Sequence, residues 1–170
     1  MTTAVKRQRI TPAMHFLYLL LIAAATIALG TFLGFLGGAT EGYSGLVRPV
    51  FMPPDIVFSI VWPILYFMMA ASFYITIVET PYTKETKALR IASIVLFAVQ
   101  LAVNVTWPMI FFKADMYFFA FIWLAVLDAL VTALVIINFK VNVWSAILLI
   151  PYLGWIIFAT CLNVMIAVFN

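Results

Sequence analysis

The chain has 170 residues, of which 67% are hydrophobic and 9% charged, with a mean hydropathy of +1.20. A soluble globular domain carries about 25% charged and about 45–50% apolar residues, so this composition excludes an ordinary soluble enzyme, a disordered tail and a disulfide scaffold. The nine basic and six acidic residues leave a net charge of +3 but form no patch, which argues against a nucleic-acid partner. The lone Cys161 has no mate for an internal disulfide.

Every charged residue except Asp128 falls between or at the ends of long apolar runs. The runs cover about 13–36, 55–78, 89–112, 116–138 and 142–168. Each is apolar nearly all round and close to the roughly 20 residues needed to cross a hydrocarbon core of about 30 Å. The ten-residue alternating segments of a membrane barrel are not visible. The pattern predicts an all-α integral membrane protein, a five-transmembrane-helix bundle forming one membrane domain over 1–170. The first run has the basic flank (Lys6, Arg7, Arg9) and small residues (Ala23 to Ala25) of a cleaved leader. Its apolar stretch continues to Leu36, too long for a signal core, and it reads as a retained helix. With the N-terminus inside, seven basic residues (Lys6, Arg7, Arg9, Lys84, Lys87, Arg90, Lys140) face inward and two (Arg48, Lys113) outward. The positive-inside rule therefore predicts an inner N-terminus and an outer C-terminus.

The connection at about 37–54 is long, rich in Gly and Pro, and carries Tyr43, Phe51 and Met52. Such a loop is expected to act as a lid or binding loop, the alternative being an irregular linker on the lipid interface. Within the spans, three helices carry mixed aromatic and amide stripes. Phe58, Trp62, Tyr66 and Ala70 repeat every four residues; Gln100, Asn104, Trp107 and Phe111 share a face; so do Tyr152, Trp155, Ala159 and Asn163. Unpaired amides are costly in hydrocarbon, so the stripes are expected to face inward. They either cross-bond the helices or line a cavity with aromatic walls and a few fixed polar groups. Trp144 fits an interfacial belt and Trp107 passably. Trp62 and Trp123 lie about 10 Å in from the outer end, and Trp155 is near mid-span, which favours a pocket beneath the lid.

Pro63, Pro108 and Pro151 release the carbonyls of Ser59, Asn104 and Ile147 and are expected to kink their helices. Asp128, the one ionisable residue at mid-span, reads as a packing residue in preference to a proton relay, since no buried Lys or Arg accompanies it. His15 reads as interfacial and Cys161 as a small apolar filler. Gly30, Gly34 and Gly38 give overlapping GxxxG spacing, the mark of close helix contact within the bundle or between subunits. No catalytic triad, zinc motif, phosphate loop or metal-ligand cluster is present, so no metal or cofactor is expected.

The stripes sit in ordered motifs. Arg48-Pro49, Pro53-Pro54, Phe58, Val61-Trp62 and Leu65-Tyr66 resemble the loop and second helix of the translocator protein family, also called tryptophan-rich sensory proteins or peripheral benzodiazepine receptors. Gln100-Leu101, Asn104, Trp107-Pro108 and Phe111-Phe112 resemble its third-helix motif. Pro151-Tyr152-Leu153, Trp155, Phe158-Ala159-Thr160 and Leu162-Asn163 resemble its fifth, and Asp128 a recurrent fourth-helix Asp. The resemblance implies a five-helix bundle, often a homodimer, with a pocket under the first loop for porphyrins, sterols and benzodiazepine-type drugs. It implies that Trp62 and Trp155 are pocket tryptophans and that Tyr66, Asn104, Trp107 and Ala159 line or support the same cavity. Tyr43, Arg48, Pro49, Phe58, Gln100 and Phe111 complete the expected ligand-binding set, with Arg48 placed to pair a porphyrin propionate. Gly42 and Phe51 stand where the family usually has lid tryptophans, and no Tyr followed by Lys or Arg comes after Leu162 to form its sterol motif.

Three functions follow as expectations. The first is a membrane binding, transport or sensory protein for tetrapyrroles and similar hydrophobic ligands. The second is a light-dependent porphyrin-degrading activity with Trp62 and Trp155 as redox-active side chains. The third is a structural or regulatory membrane partner without a ligand. With no targeting extension visible, a bacterial cell membrane is the expected location.

Overall fold

The computed structural model describes residues 11–39, 43, 45–80, 83 and 86–170. The basic residues Lys6, Arg7, Arg9 and Lys84, which carry much of the expected orientation, lie outside the described residues, as does Gly42. Among the described residues there are five long helices and no strand: α1 (Pro12–Leu36), α2 (Asp55–Tyr74), α3 (Lys87–Pro108), α4 (Tyr117–Val141) and α5 (Val143–Phe169). Two of them run on into π-helical turns, Ile75–Glu79 after α2 and Met109–Lys113 after α3. All five spans are long and apolar enough to cross a membrane. The expected boundaries hold to within a few residues.

Local chemistry sets the ends. The Thr11 side chain accepts from the Met14 amide and Pro12 occupies the first turn of α1, where its missing N–H costs nothing. Asn142 is the single residue between α4 and α5, and its side chain caps α5 by accepting from the Trp144 amide at 3.0 Å. Gly38 turns the chain out of α1 at φ +87°, a conformation that favours glycine.

Neighbouring helices close a ring in the order α1, α2, α5, α4, α3 and back to α1. Large apolar side chains such as Phe16, Leu21, Ile64, Val95 and Ile136 point outward, the arrangement a helix bundle in lipid requires. The expected inward stripes are inside. Tyr66, Ala70, Gln100, Asn104, Trp107, Phe111, Tyr152 and Asn163 are buried, and Phe58, Trp62, Trp155 and Ala159 are half-buried against the core.

At the end away from the lid, small polar residues join four helices. Ser93 donates to Asn138 Oδ1 at 2.5 Å, Asn138 Nδ2 donates to Ser145 Oγ at 2.8 Å, and Ser72 Oγ lies 2.8 Å from the Ser145 carbonyl. Thr76 Oγ1 sits 2.8 Å from Ser145 Oγ. All five residues are at most 2% exposed, so the cluster is a satisfied internal network that ties α2, α3, α4 and α5 together. On the α1 side, His15 Nδ1 lies 2.6 Å from the Tyr74 hydroxyl and 2.9 Å from Glu79 Oε1. The interfacial histidine is thus also a link between α1 and the end of α2. Asp128 meets α5, where Thr160 donates to its Oδ2 at 2.8 Å, and its buried Oδ1 has no hydrogen-bond partner among the described residues.

Candidate ligand-binding cavity

Beneath the lid, α1, α2 and α3 separate around a cavity of about 480 Å³, inside the size range of small-molecule sites. Gly30, Thr31, Gly34 and Phe35 form the α1 wall; Phe58, Ser59, Trp62 and Tyr66 form the α2 wall; Asn104, Trp107 and Pro108 form the α3 wall. Phe112, on the π-helical turn after α3, joins Tyr43 and Ala39 at the lid end, and Asp55 stands at the mouth.

Two features of α1 make room for these side chains. A Cβ at Gly30 would fall 2.2 Å from Tyr66 Cζ, so glycine is what lets the Tyr66 ring lie against α1. A Cβ at Gly34, one turn on, would meet no heavy atom within 4 Å, and this is where the cavity opens. Within the bundle, Gly30 is a close approach, Gly34 borders the cavity and Gly38 is a turn.

The polar floor is a directed chain of hydrogen bonds. The Tyr66 hydroxyl donates to Asn104 Oδ1 at 2.9 Å, Asn104 Nδ2 donates to the Tyr152 hydroxyl at 3.1 Å, and that hydroxyl donates to Gln100 Oε1 at 2.9 Å. Asn104 has one donor and one acceptor engaged on two different helices, which fixes the orientation of its amide. Beside it, Trp107 Nε1 donates to Asn163 Oδ1 at 3.2 Å, and Asn163 Nδ2 donates to the Tyr117 carbonyl at 2.9 Å.

The lid is held by side chains. Tyr43 is buried with its ring 5.4 Å from that of Phe58, 5.7 Å from Phe111 and 5.2 Å from Phe112. Pro108 cannot donate to the Asn104 carbonyl, and the turn that follows is π-helical. This turn carries the consecutive Phe111 and Phe112, both of which reach Tyr43. Burial pushes the Tyr43 phenol well above its usual range, with the Asp55 carboxylate adding to the rise and Arg48 opposing it, so the ring enters the site neutral. Arg48 makes a two-pronged ion pair with Asp55, at 3.0 and 3.3 Å, and its Nε donates to the Tyr43 carbonyl at 3.3 Å. Further along the lid, the Asn170 side chain accepts from the Val47 amide at 2.9 Å and donates to the Val47 carbonyl at 3.3 Å.

Of the residues expected from sequence, Tyr43, Phe58, Trp62, Tyr66, Asn104 and Trp107 line the cavity. Arg48, Pro49, Gln100, Phe111, Trp155 and Ala159 do not. Arg48 is engaged by Asp55. Pro49 is buried in the lid, where its carbonyl accepts from the Met52 amide at 3.0 Å. Gln100 is buried behind Asn104, at Tyr152. Phe111 and Ala159 border a void of only about 10 Å³ shared with Tyr43, Phe58 and Trp107, too small for a ligand. Trp155 packs on Phe58 and Phe158 at ring distances of 5.6 and 5.5 Å, and its buried Nε1 has no hydrogen-bond partner among the described residues. The third wall is thus α1 in place of the expected α5. Sequence reasoning missed Thr31, Phe35, Asp55 and Ser59, which carry no stripe of their own; the small residues at positions 30 and 34 were the available signal.

Residues 18–169 match the TspO/MBR family. The chain is 34% identical to the human translocator protein over 139 residues, covering 80% of each chain. It is 31% identical to the tryptophan-rich protein TspO of Archaeoglobus fulgidus over 128 residues, 75% of this chain and 79% of the relative. It is 30% identical to the tryptophan-rich sensory protein of Cereibacter sphaeroides over 130 residues, 72% and 73% of the two chains. Five apolar spans, the ordered helix motifs and this match give one conclusion: the chain is an integral membrane protein that belongs to the TspO/MBR family.

Proposed function

We propose that this protein binds planar, largely apolar ligands of the porphyrin type in the cavity between α1, α2 and α3, as a membrane carrier or sensor of tetrapyrroles. The observation that carries this reading is the lining itself. Seven aromatic rings (Phe35, Tyr43, Phe58, Trp62, Tyr66, Trp107 and Phe112) surround about 480 Å³ with one fixed amide, Asn104. Aromatic walls favour a flat π-system, and a single oriented amide gives a ligand one polar anchor. Bundle packing alone accounts for the buried Gln100, Tyr152 and Asn163, but not for a cavity that leaves Trp62 and Phe58 partly uncovered. The names of the relatives, translocator protein and tryptophan-rich sensory protein, support a role in ligand handling. A bacterial cell membrane, with the lid on the outer side, is the location this reading adopts. Assembly as a homodimer is part of the same reading.

The test is a dark titration of purified protein with protoporphyrin, read by the emission of the porphyrin. Wild type runs beside Trp62→Ala and beside empty detergent. Saturation near one porphyrin per chain, weakened in the variant, is expected. Linear uptake, equal in wild type, variant and empty detergent, contradicts the proposal.

A further inference from the structure

Among the described residues, the one charged group that lines the cavity is an anion. Asp55 lines it and Arg48 does not, although the two are paired through both terminal guanidinium nitrogens and both carboxylate oxygens at 3.0 and 3.3 Å. The third guanidinium nitrogen, Nε, donates to the Tyr43 carbonyl at 3.3 Å. A carboxylate-bearing ligand entering under the lid therefore meets a like charge first, and finds the nearby cation already engaged. Asp55 also sits in the first turn of α2, where a helix end attracts negative charge, so it fills the position an incoming carboxylate would take.

From this we infer that Asp55 is a specificity-determining residue: by occupying Arg48 at the cavity mouth it disfavours carboxylate-bearing ligands relative to uncharged ones of the same shape. The inference rests on the reading of this cavity as a ligand site. A dicarboxylate ligand gains the forked face of the guanidinium only by exchange, drawing Arg48 away from Asp55. An uncharged ligand leaves the pair intact. Both side chains are partly exposed, at 39% and 50%, so the exchange is modest in scale and its size falls as salt rises.

The experiment measures the affinity of protoporphyrin, which has two propionates, and of its dimethyl ester, in wild type, Asp55→Asn and Arg48→Ala. Asp55→Asn removes the like charge and frees the guanidinium. It is expected to raise the affinity of the diacid relative to the ester by about fivefold. Arg48→Ala leaves an uncompensated carboxylate at the mouth and is expected to lower the same ratio. Both variants break the same ion pair, and Arg48→Ala also loses the bond to the Tyr43 carbonyl; a looser lid changes access for both ligands alike, so opposite movements of the diacid-to-ester ratio cannot come from lid mobility. Parallel changes for both ligands in both variants, or an unchanged ratio, would overturn the inference while leaving the cavity as a ligand site. Absence of saturable binding by either ligand in wild type would overturn the cavity reading, and this inference with it.

Discussion

The ring of Tyr66 occupies the space in which a side chain at residue 30 would begin, with Cζ 2.2 Å and the hydroxyl oxygen 2.7 Å from a Cβ built on Gly30. The same hydroxyl donates to Asn104, so the close approach of α1 and α2 sets the position of the polar floor. Gly30→Ala forces the ring to move and is expected to cost about 1–3 kcal/mol, the usual range for overpacking. Gly34→Ala meets no atom within 4 Å and is expected to leave stability unchanged. Denaturant unfolding of the two variants in detergent, followed by tryptophan emission, checks the contrast.

Asn104 holds two tyrosine hydroxyls on two helices. Asn104→Leu strands the Tyr66 hydroxyl in a buried site, while that of Tyr152 keeps its bond to Gln100, and is expected to cost about 1–3 kcal/mol. It also removes the fixed amide from the cavity, so ligand affinity falls with stability. Tyr66→Phe loses one interhelical bond, worth on average about 0.6 kcal/mol, and keeps the ring. Affinity and unfolding measured on both variants separate the amide from the aromatic wall.

Asn138 is the matching control at the far end. Asn138→Leu leaves the Ser93 and Ser145 hydroxyls short of a partner, with an expected loss of about 1–3 kcal/mol. The cavity does not include it, so ligand affinity in the folded fraction is expected to match wild type. A large affinity change at full folding would show that the two ends of the bundle are coupled.

The tryptophans divide by hydrogen bonding. Trp107→Phe breaks the bond to Asn163 and is expected to cost about 1 kcal/mol. Trp155→Phe removes an indole nitrogen that has no partner among the described residues and is expected to cost less. In ligand binding, Trp62→Phe is expected to have a larger effect than Trp155→Phe, because only Trp62 lines the cavity. Titration of the two single variants gives the order directly.

The five spans were legible in the sequence because lipid imposes a fixed length of apolar residues, and the charges mark the ends. The Gln100–Asn104–Trp107 face was legible because amides in hydrocarbon turn inward. Periodicity fixes which residues share a face, but not how that face is rotated against its neighbours. For that reason Trp155 was expected in the cavity, whereas it packs behind Phe58. The Ser72, Ser93, Asn138 and Ser145 network escaped notice because single hydroxyls in an apolar run are indistinguishable from neutral small residues until four helices bring them together. Pro108 announced a disturbance of α3, but nothing local announced that the disturbance is a π-helical turn presenting Phe111 and Phe112 to the lid. The pairing of Arg48 with Asp55 was equally hidden, since the two lie seven residues apart across a proline-rich turn.

The most direct test of the cavity as a ligand site uses chemical protection. Cys161 is the one cysteine of the chain, so Cys161→Ser gives a background for single reporters. Gly34→Cys and Gly154→Cys are both sterically open, with no heavy atom within 4 Å of the added Cβ, but only position 34 lines the cavity. Maleimide labelling is timed with and without protoporphyrin. Ligand is predicted to slow labelling of the Gly34→Cys protein severalfold and to leave the Gly154→Cys protein unaffected. Equal labelling of the Gly34→Cys protein with and without a saturating ligand would contradict the assignment of the cavity between α1, α2 and α3 as the binding site.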